Sequence, residues 1–127
     1  MSITYTIDGV KVVAEPSDTI LTSATRAGVE IPTLCFDKRT AIYGACGVCL
    51  VEVEGVPKLL RACSARPQEG YVVSTKTDRV TRARKTALEL LLSDHTGDCR
   101  GPCKLNCPAM TDCQKYVGAI REGRYKD

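Results

Sequence analysis

The eight cysteines of this chain fall into two sets of four, and their spacing constrains what 127 residues can fold into more than any other feature. Cys35, Cys46, Cys49 and Cys63 are separated by ten, two and thirteen residues, with Gly44 and Gly47 beside the middle pair. Two residues between thiols let a chain wrap a soft metal centre with both sulfurs pointing inward. Glycine next to the ligands removes the Cβ that would obstruct close approach and leaves amide N–H groups free to meet sulfur. Cys99, Cys103, Cys107 and Cys113 follow with three, three and five residues between them, on a segment punctuated by Pro102 and Pro108. Four thiols on so short a loop suit a cubane 4Fe-4S cluster, whose four corners a tight loop reaches in turn. Zinc can use the same ligands, so the residues alone leave a zinc-stapled interaction module open beside an iron-sulfur protein.

A chain of this length makes one ordinary domain or two very small ones, and one Phe with no Trp leaves a thin core that needs staples. The first residues lack the basic-then-apolar pattern of a signal peptide, and no stretch approaches a membrane span, so a cytoplasmic protein is expected. In a reducing compartment paired cysteines favour metals over disulfides. The formal net charge of +3 invites a nucleic-acid reading, but eight thiols ionised around iron-sulfur cores would turn the balance negative. Arg79, Arg82, Arg84 and Lys85 form a short basic run without the interleaved aromatics of a stacking platform. It reads as the solvated face of an amphipathic helix, or as a docking point for an acidic redox partner, and no nucleic-acid partner is expected.

Along the chain, Ile3, Tyr5 and Ile7 alternate, and Val10, Val12 and Ala14 answer after an Asp8-Gly9 turn, which is a β-hairpin signal. Pro16-Ser17-Asp18-Thr19 caps a helix carrying Ile20, Ala24 and Ala27, with Gly28 placed to end it. Residues 29–47 read as loop, residues 50–53 as a strand leaving it, residues 58–61 as a second short strand and residues 71–74 as a third. A hairpin, a helix across it and further strands predict a small α+β domain of ubiquitin-like, β-grasp type over residues 1–76. A connecting helix over residues 77–95 follows, with Val80, Ala83, Ala87, Leu90 and Leu91 as an apolar stripe packing two modules together. Residues 96–127 make a cysteine-rich helical segment, closing in a helix from Asp112 to Gly123 with Tyr116, Val117 and Ile120 inward.

With these residues in view, the first 76 resemble the N-terminal 2Fe-2S ferredoxin domain of the large electron-input subunit of complex I, of iron-only hydrogenases and of NAD-linked formate dehydrogenases. The run from Tyr43 to Cys49 is similar to their cluster loop, and the resemblance implies that Cys35, Cys46, Cys49 and Cys63 hold one 2Fe-2S cluster. Plant-type ferredoxins differ, with four residues between the first two ligands. Farther on the resemblance divides. Residues 88–95 leading to Cys99 resemble a segment in which one His and three Cys hold a 4Fe-4S cluster, although the cysteine spacing of those proteins does not follow. Gly101-Pro102-Cys103 and Cys107-Pro108-Ala109 instead resemble the cysteine-rich entrance of glutamate-synthase small-subunit-like flavoproteins, which implies a 4Fe-4S cluster serving an FAD that meets NAD(P)H. His95, the one histidine, is an alternative fourth ligand or simply a helix-end residue facing the dipole.

No Ser/His/Asp set, phosphate-cradling loop or Gly-x-Gly-x-x-Gly opening a helix appears. An iron-sulfur protein without a substrate pocket is a wire. The expectation is therefore an electron-transfer subunit or module of an NAD(P)H-linked oxidoreductase, partnered by a flavin-bearing subunit and other iron-sulfur subunits. A freely diffusing ferredoxin is the remaining alternative.

Overall fold

The computed structural model describes residues 2–95 and 101–126, without the side chains of Pro102 and Cys103. Two compact units result, one ending at Asp94 and one beginning at His95.

The first unit is α+β. Strands β1 (Ile3–Ile7) and β2 (Val10–Ala14) form the expected hairpin, with Asp8 and Gly9 both at positive φ in its turn. Asp8 is more than a turn residue, because its carboxylate accepts the Thr75 amide at 2.8 Å and so ties the turn to the end of the strand that pairs beside β1. Helix α1 (Ile20–Arg26) starts at a reciprocal cap: Thr22 N–H donates to the Thr19 hydroxyl and Thr19 N–H to the Thr22 hydroxyl. Strands β3 (Leu50–Val53), β4 (Leu60–Arg61) and β5 (Val72–Ser74) complete a five-stranded sheet in the order β2-β1-β5-β3-β4. β1 and β5 run parallel, and every other pair is antiparallel. β4 is only two residues, shorter than the expected 58–61.

The period of two puts Tyr5, Ile7, Val12, Ala14, Val51, Val53 and Val73 on one face, where Ile20, Leu21 and Ala24 of α1 cover them. The Tyr5 hydroxyl, buried in that layer, shares a 2.6 Å hydrogen bond with Ser23, which in turn donates to the Thr19 carbonyl at 2.8 Å. Cys49 and Cys63 belong to this same core cluster, so the apolar layer runs directly into two of the thiols.

Helix α2 (Asp78–Ser93) begins at the Thr77 cap and packs on β3 within the first unit. Its inward face is only the first part of the expected apolar stripe, with Arg84 added. Val80 alone is buried, Ala83, Arg84 and Ala87 are half-buried, and Leu90 and Leu91 are exposed. The reason is geometric: contact with the single strand β3 covers only the line i, i+4, i+7 through Val80, Arg84 and Ala87. The second unit holds a short turn of helix, α3 (Pro102–Leu105), where the sequence reads as loop, and α4 (Cys113–Arg121), capped by Asp112. In α4, Tyr116, Val117 and Ile120 are exposed rather than inward, and Ala119 is the buried residue. So small a unit has too little mass to cover a whole helix face.

Candidate iron-sulfur centre

Three segments bring the first cysteine quartet together. Cys35 lies in the long loop after α1, Cys46 and Cys49 lie where that loop enters β3, and Cys63 sits in the turn after β4. That turn is held tightly. Ser64 N–H and Ala65 N–H both donate to the Arg61 carbonyl, at 3.1 and 2.8 Å, and Ala62 N–H donates to the Cys49 carbonyl at 3.0 Å. The start of α1 grips it from the other side, since Ile20 N–H donates to Ala65 and Leu21 N–H to Ala62, both at 2.9 Å. Two of the donors that every helix N-terminus leaves unpaired are thus spent on positioning Cys63.

Within the quartet the Cys46 thiol acts on that of Cys35, and the thiols of Cys49 and Cys35 both act on that of Cys63, so Cys35–Cys46 and Cys49–Cys63 are the neighbouring pairs of one set. The pairs differ in environment. Cys35 and Cys46 are half-buried, whereas Cys49 and Cys63 are 2% and 1% exposed. The Cys35 thiol is held below its ordinary range, first by the amide of Cys46, then by the Cys46 thiol, with the amides of Ala45 and Gly44 adding to them against the effect of burial. Three consecutive amides converging on one sulfur make a nest for negative charge. The Cys63 thiol is pushed up to about 12, by burial first and then by the neighbouring Cys49 and Cys35 thiols, with Ser64 pulling slightly the other way. A thiol so placed ionises when a metal takes the place of its proton.

The glycines carry this geometry. Gly44 and Gly47 have φ of +66° and +72°, the left-handed region that side chains resist. A Cβ on Gly44 would lie in ordinary contact with Ser64, but one on Gly47 would stand 3.3 Å from the Ala87 Cβ of α2. The cysteine loop is therefore pressed against that helix at Gly47. Sequence reasoning placed Ala87 in an apolar stripe and missed this contact, and it read Arg84 as solvated. In fact Arg84 Nε and Nη2 donate to the Leu50 carbonyl at 3.0 and 2.7 Å, one residue past Cys49.

Of the second quartet, Cys99 lies outside the described residues, and Cys103 is placed only as backbone, in α3. Cys107 and Cys113 are half-buried. The Cys107 thiol is held below its ordinary range by the Thr111 amide, the Thr111 hydroxyl and the amides of Ala109 and Met110. Cys113 opens α4, next to an Asp112 carboxylate that pairs with Lys104 at 2.6 Å. His95 is exposed, immediately after the Asp94 cap of α2. Among the described residues, no three Cys, His, Asp or Glu side chains gather as they would around a single metal ion. No helix there is long and apolar enough to cross a membrane.

A mixed sheet whose core ends in paired thiols, under a loop that offers amides to sulfur, defines a ferredoxin-type domain. The chain belongs to the family of 2Fe-2S iron-sulfur cluster binding domains, whose model matches residues 1–78. It is 36% identical, across 96% of its length, to the NADPH-Fe(3+) oxidoreductase subunit alpha of Geobacter sulfurreducens. It is also 44% identical, across 74% of its length, to the mitochondrial NADH-ubiquinone oxidoreductase 78 kDa subunit of Candida albicans. The chain spans only 15% and 13% of these relatives. Among solved structures, an NAD+-reducing [NiFe]-hydrogenase in its H2-reduced state superposes on the whole chain with a TM-score of 0.69 at 31% identity, the match covering 53% of that chain.

Proposed function

We propose that this chain is an iron-sulfur electron-transfer module of an NAD(P)H-linked oxidoreductase. On this reading Cys35, Cys46, Cys49 and Cys63 hold a 2Fe-2S cluster on a β-grasp domain over residues 1–76. The observation that carries it is the match of residues 1–78 to the 2Fe-2S cluster binding domain family, together with the amides of Gly44, Ala45 and Cys46 that meet the Cys35 sulfur. On this reading Cys35 with Cys46 would hold one iron and Cys49 with Cys63 the other. When bound, such a cluster takes up and releases one electron at a time.

The protein's own part follows from the asymmetry of the pairs. The amides of Gly44, Ala45 and Cys46 stabilise negative charge at the half-buried edge, and the apolar core insulates the other. The half-buried Cys35–Cys46 edge, rather than the buried Cys49–Cys63 edge, would be the side over which a bound cluster exchanges electrons. Beyond the connecting helix, Cys99, Cys103, Cys107 and Cys113 hold a 4Fe-4S cluster in the segment 96–127, with His95 as the alternative ligand. The amide nest at Cys107, like the one at Cys35, supports that reading. Two of the relatives are named as subunits of NADPH- or NADH-linked oxidoreductases, which supports redox partner subunits; the partners in this proposal are a flavin-bearing NAD(P)H-oxidising subunit or domain and further iron-sulfur subunits, and its location the cytoplasm.

The test is the metal content and spectra of anaerobically prepared protein. Two complete quartets give about six irons and six acid-labile sulfides per chain. Cys46→Ala should abolish the 2Fe-2S paramagnetic signal, and Cys103→Ala should spare it while removing the second. A colourless protein carrying zinc would refute the proposal, and loss of both signals from either mutation in folded protein would refute the two-site assignment.

A further inference from the structure

Arg84 is half-buried on α2, and among the described residues it has no carboxylate within ion-pair distance. Both of its hydrogen bonds go to one acceptor, the carbonyl of Leu50, so the guanidinium is anchored one residue from Cys49. Burial works against its charge, and what works for it is first the Cys49 sulfur and then the Asp8 carboxylate. A guanidinium keeps its proton under such conditions. Its neighbours on the same helix differ: Arg82 and Lys85 are exposed, and Lys85 pairs loosely with Glu89 at 3.7 Å.

We propose that Arg84 tunes the reduction potential of the centre at Cys35, Cys46, Cys49 and Cys63 by fixing a positive charge beside its buried edge. This rests on the ligand reading above. Reduction adds one negative charge to the centre, so a nearby cation stabilises the reduced form more than the oxidised one and raises the potential. The effect survives because the guanidinium is partly withdrawn from water and held at a set place by Leu50, whereas solvent and salt screen Arg82 and Lys85. α2 is also fixed there by the contact of Ala87 with Gly47. Arg84 lies past the segment that the family model matches, so this charge is supplied by the helix that follows the ferredoxin-type domain. Arg84 is a positioning and tuning residue, not a ligand.

The cluster-loaded chain is titrated potentiometrically with mediators while the reduced 2Fe-2S signal is followed by electron paramagnetic resonance. Arg84→Gln should lower the ratio of reduced to oxidised centre at a fixed potential by about tenfold, which is about 59 mV for a one-electron couple. Arg84→Lys, which keeps the charge, and Lys85→Gln, which removes a screened one, should stay within about twofold. A folded, loaded Arg84→Gln protein with wild-type potential overturns the proposal, and so does an equal shift in Lys85→Gln. A tenfold fall in Arg84→Lys also overturns it, by assigning the effect to the lost hydrogen-bond fork; if Arg84→Gln does not fold, Arg84→Met, which removes the charge at similar length, takes its place with the same two outcomes. Wild-type protein with no 2Fe-2S signal would instead sink the ligand reading itself.

Discussion

Gly44 and Gly47 share a left-handed backbone yet face different neighbours, so the pair separates conformational strain from steric crowding in the cysteine loop. Forcing an L side chain into the left-handed region costs about 1–2 kcal/mol. Gly44→Ala should cost that and no more, because its Cβ meets Ser64 at 3.5 Å, an ordinary contact. Gly47→Ala adds a Cβ 3.3 Å from that of Ala87, on a helix pinned by Arg84, and the crowding should cost roughly 1 kcal/mol more. For a unit of this size, 1 kcal/mol is about 4–8 °C in the unfolding midpoint. Circular dichroism melts should therefore place Gly47→Ala about 4–8 °C below Gly44→Ala. Adding Ala87→Gly tests the cause: on its own it weakens the helix by about 0.5–1 kcal/mol, but with Gly47→Ala the combined loss should fall short of the sum by about 1 kcal/mol. Equal melting of the two alanine variants, or strict additivity in the cycle, would show that α2 does not press on the loop.

Other consequences are open to measurement. Asp18 accepts the Glu15 amide at 2.8 Å and two Arg26 contacts at 2.8 and 2.9 Å, so Asp18→Asn should cost about 1 kcal/mol in urea denaturation at neutral pH. The Glu15 amide, foremost, and Arg26 hold its carboxyl below the usual range, so this contribution is complete above an unfolded-state value near 3.9 and is lost as pH falls through the folded one. The gap between wild type and variant should close in acid, and a gap that widened there would refute the assignment. Tyr5→Phe deletes a buried hydroxyl but leaves Ser23 bonded to Thr19, so a melt should register a loss of about 1 kcal/mol rather than 3. Stripping the metal with a chelator should raise amide hydrogen exchange across residues 33–46, which have no strand or helix, while leaving β1, β2 and α1 protected; uniform loosening would contradict this.

Much of the first unit was legible because local rules and tertiary demands agree there. The Asp8-Gly9 turn and the cap before Ile20 each act within four residues, and they appear where the side chains put them. The α+β class and the 2Fe-2S family follow from those elements and from the first cysteine spacing. What was not legible depends on what lies opposite. An arginine on a helix gives no sign that a carbonyl waits for it 34 positions earlier, and Leu90 and Leu91 give no sign that nothing in their own unit covers that end of α2. Tyr116, Val117 and Ile120 keep helical spacing, but periodicity says which residues share a face and not whether a small unit can bury it. The amides that converge on Cys35 were foreshadowed by Gly44, although the choice of which sulfur they serve is a matter of loop path.

The parallel pairing of β1 with β5 sets a timetable for biosynthesis. Thr6 meets Val72 and Ile7 meets Val73, so the middle of the sheet cannot close until those residues have left the ribosome. Cys35, Cys46, Cys49 and Cys63 all emerge before Val72. During translation the four thiols are thus in the open, beside a hairpin whose inner edge lacks its neighbour, and exposed to oxidants and stray metals. Insertion of iron and sulfide into a shaped site has to wait for the sheet to zip shut, and any helper that guards nascent thiols has its window between the emergence of Cys35 and that of Val73.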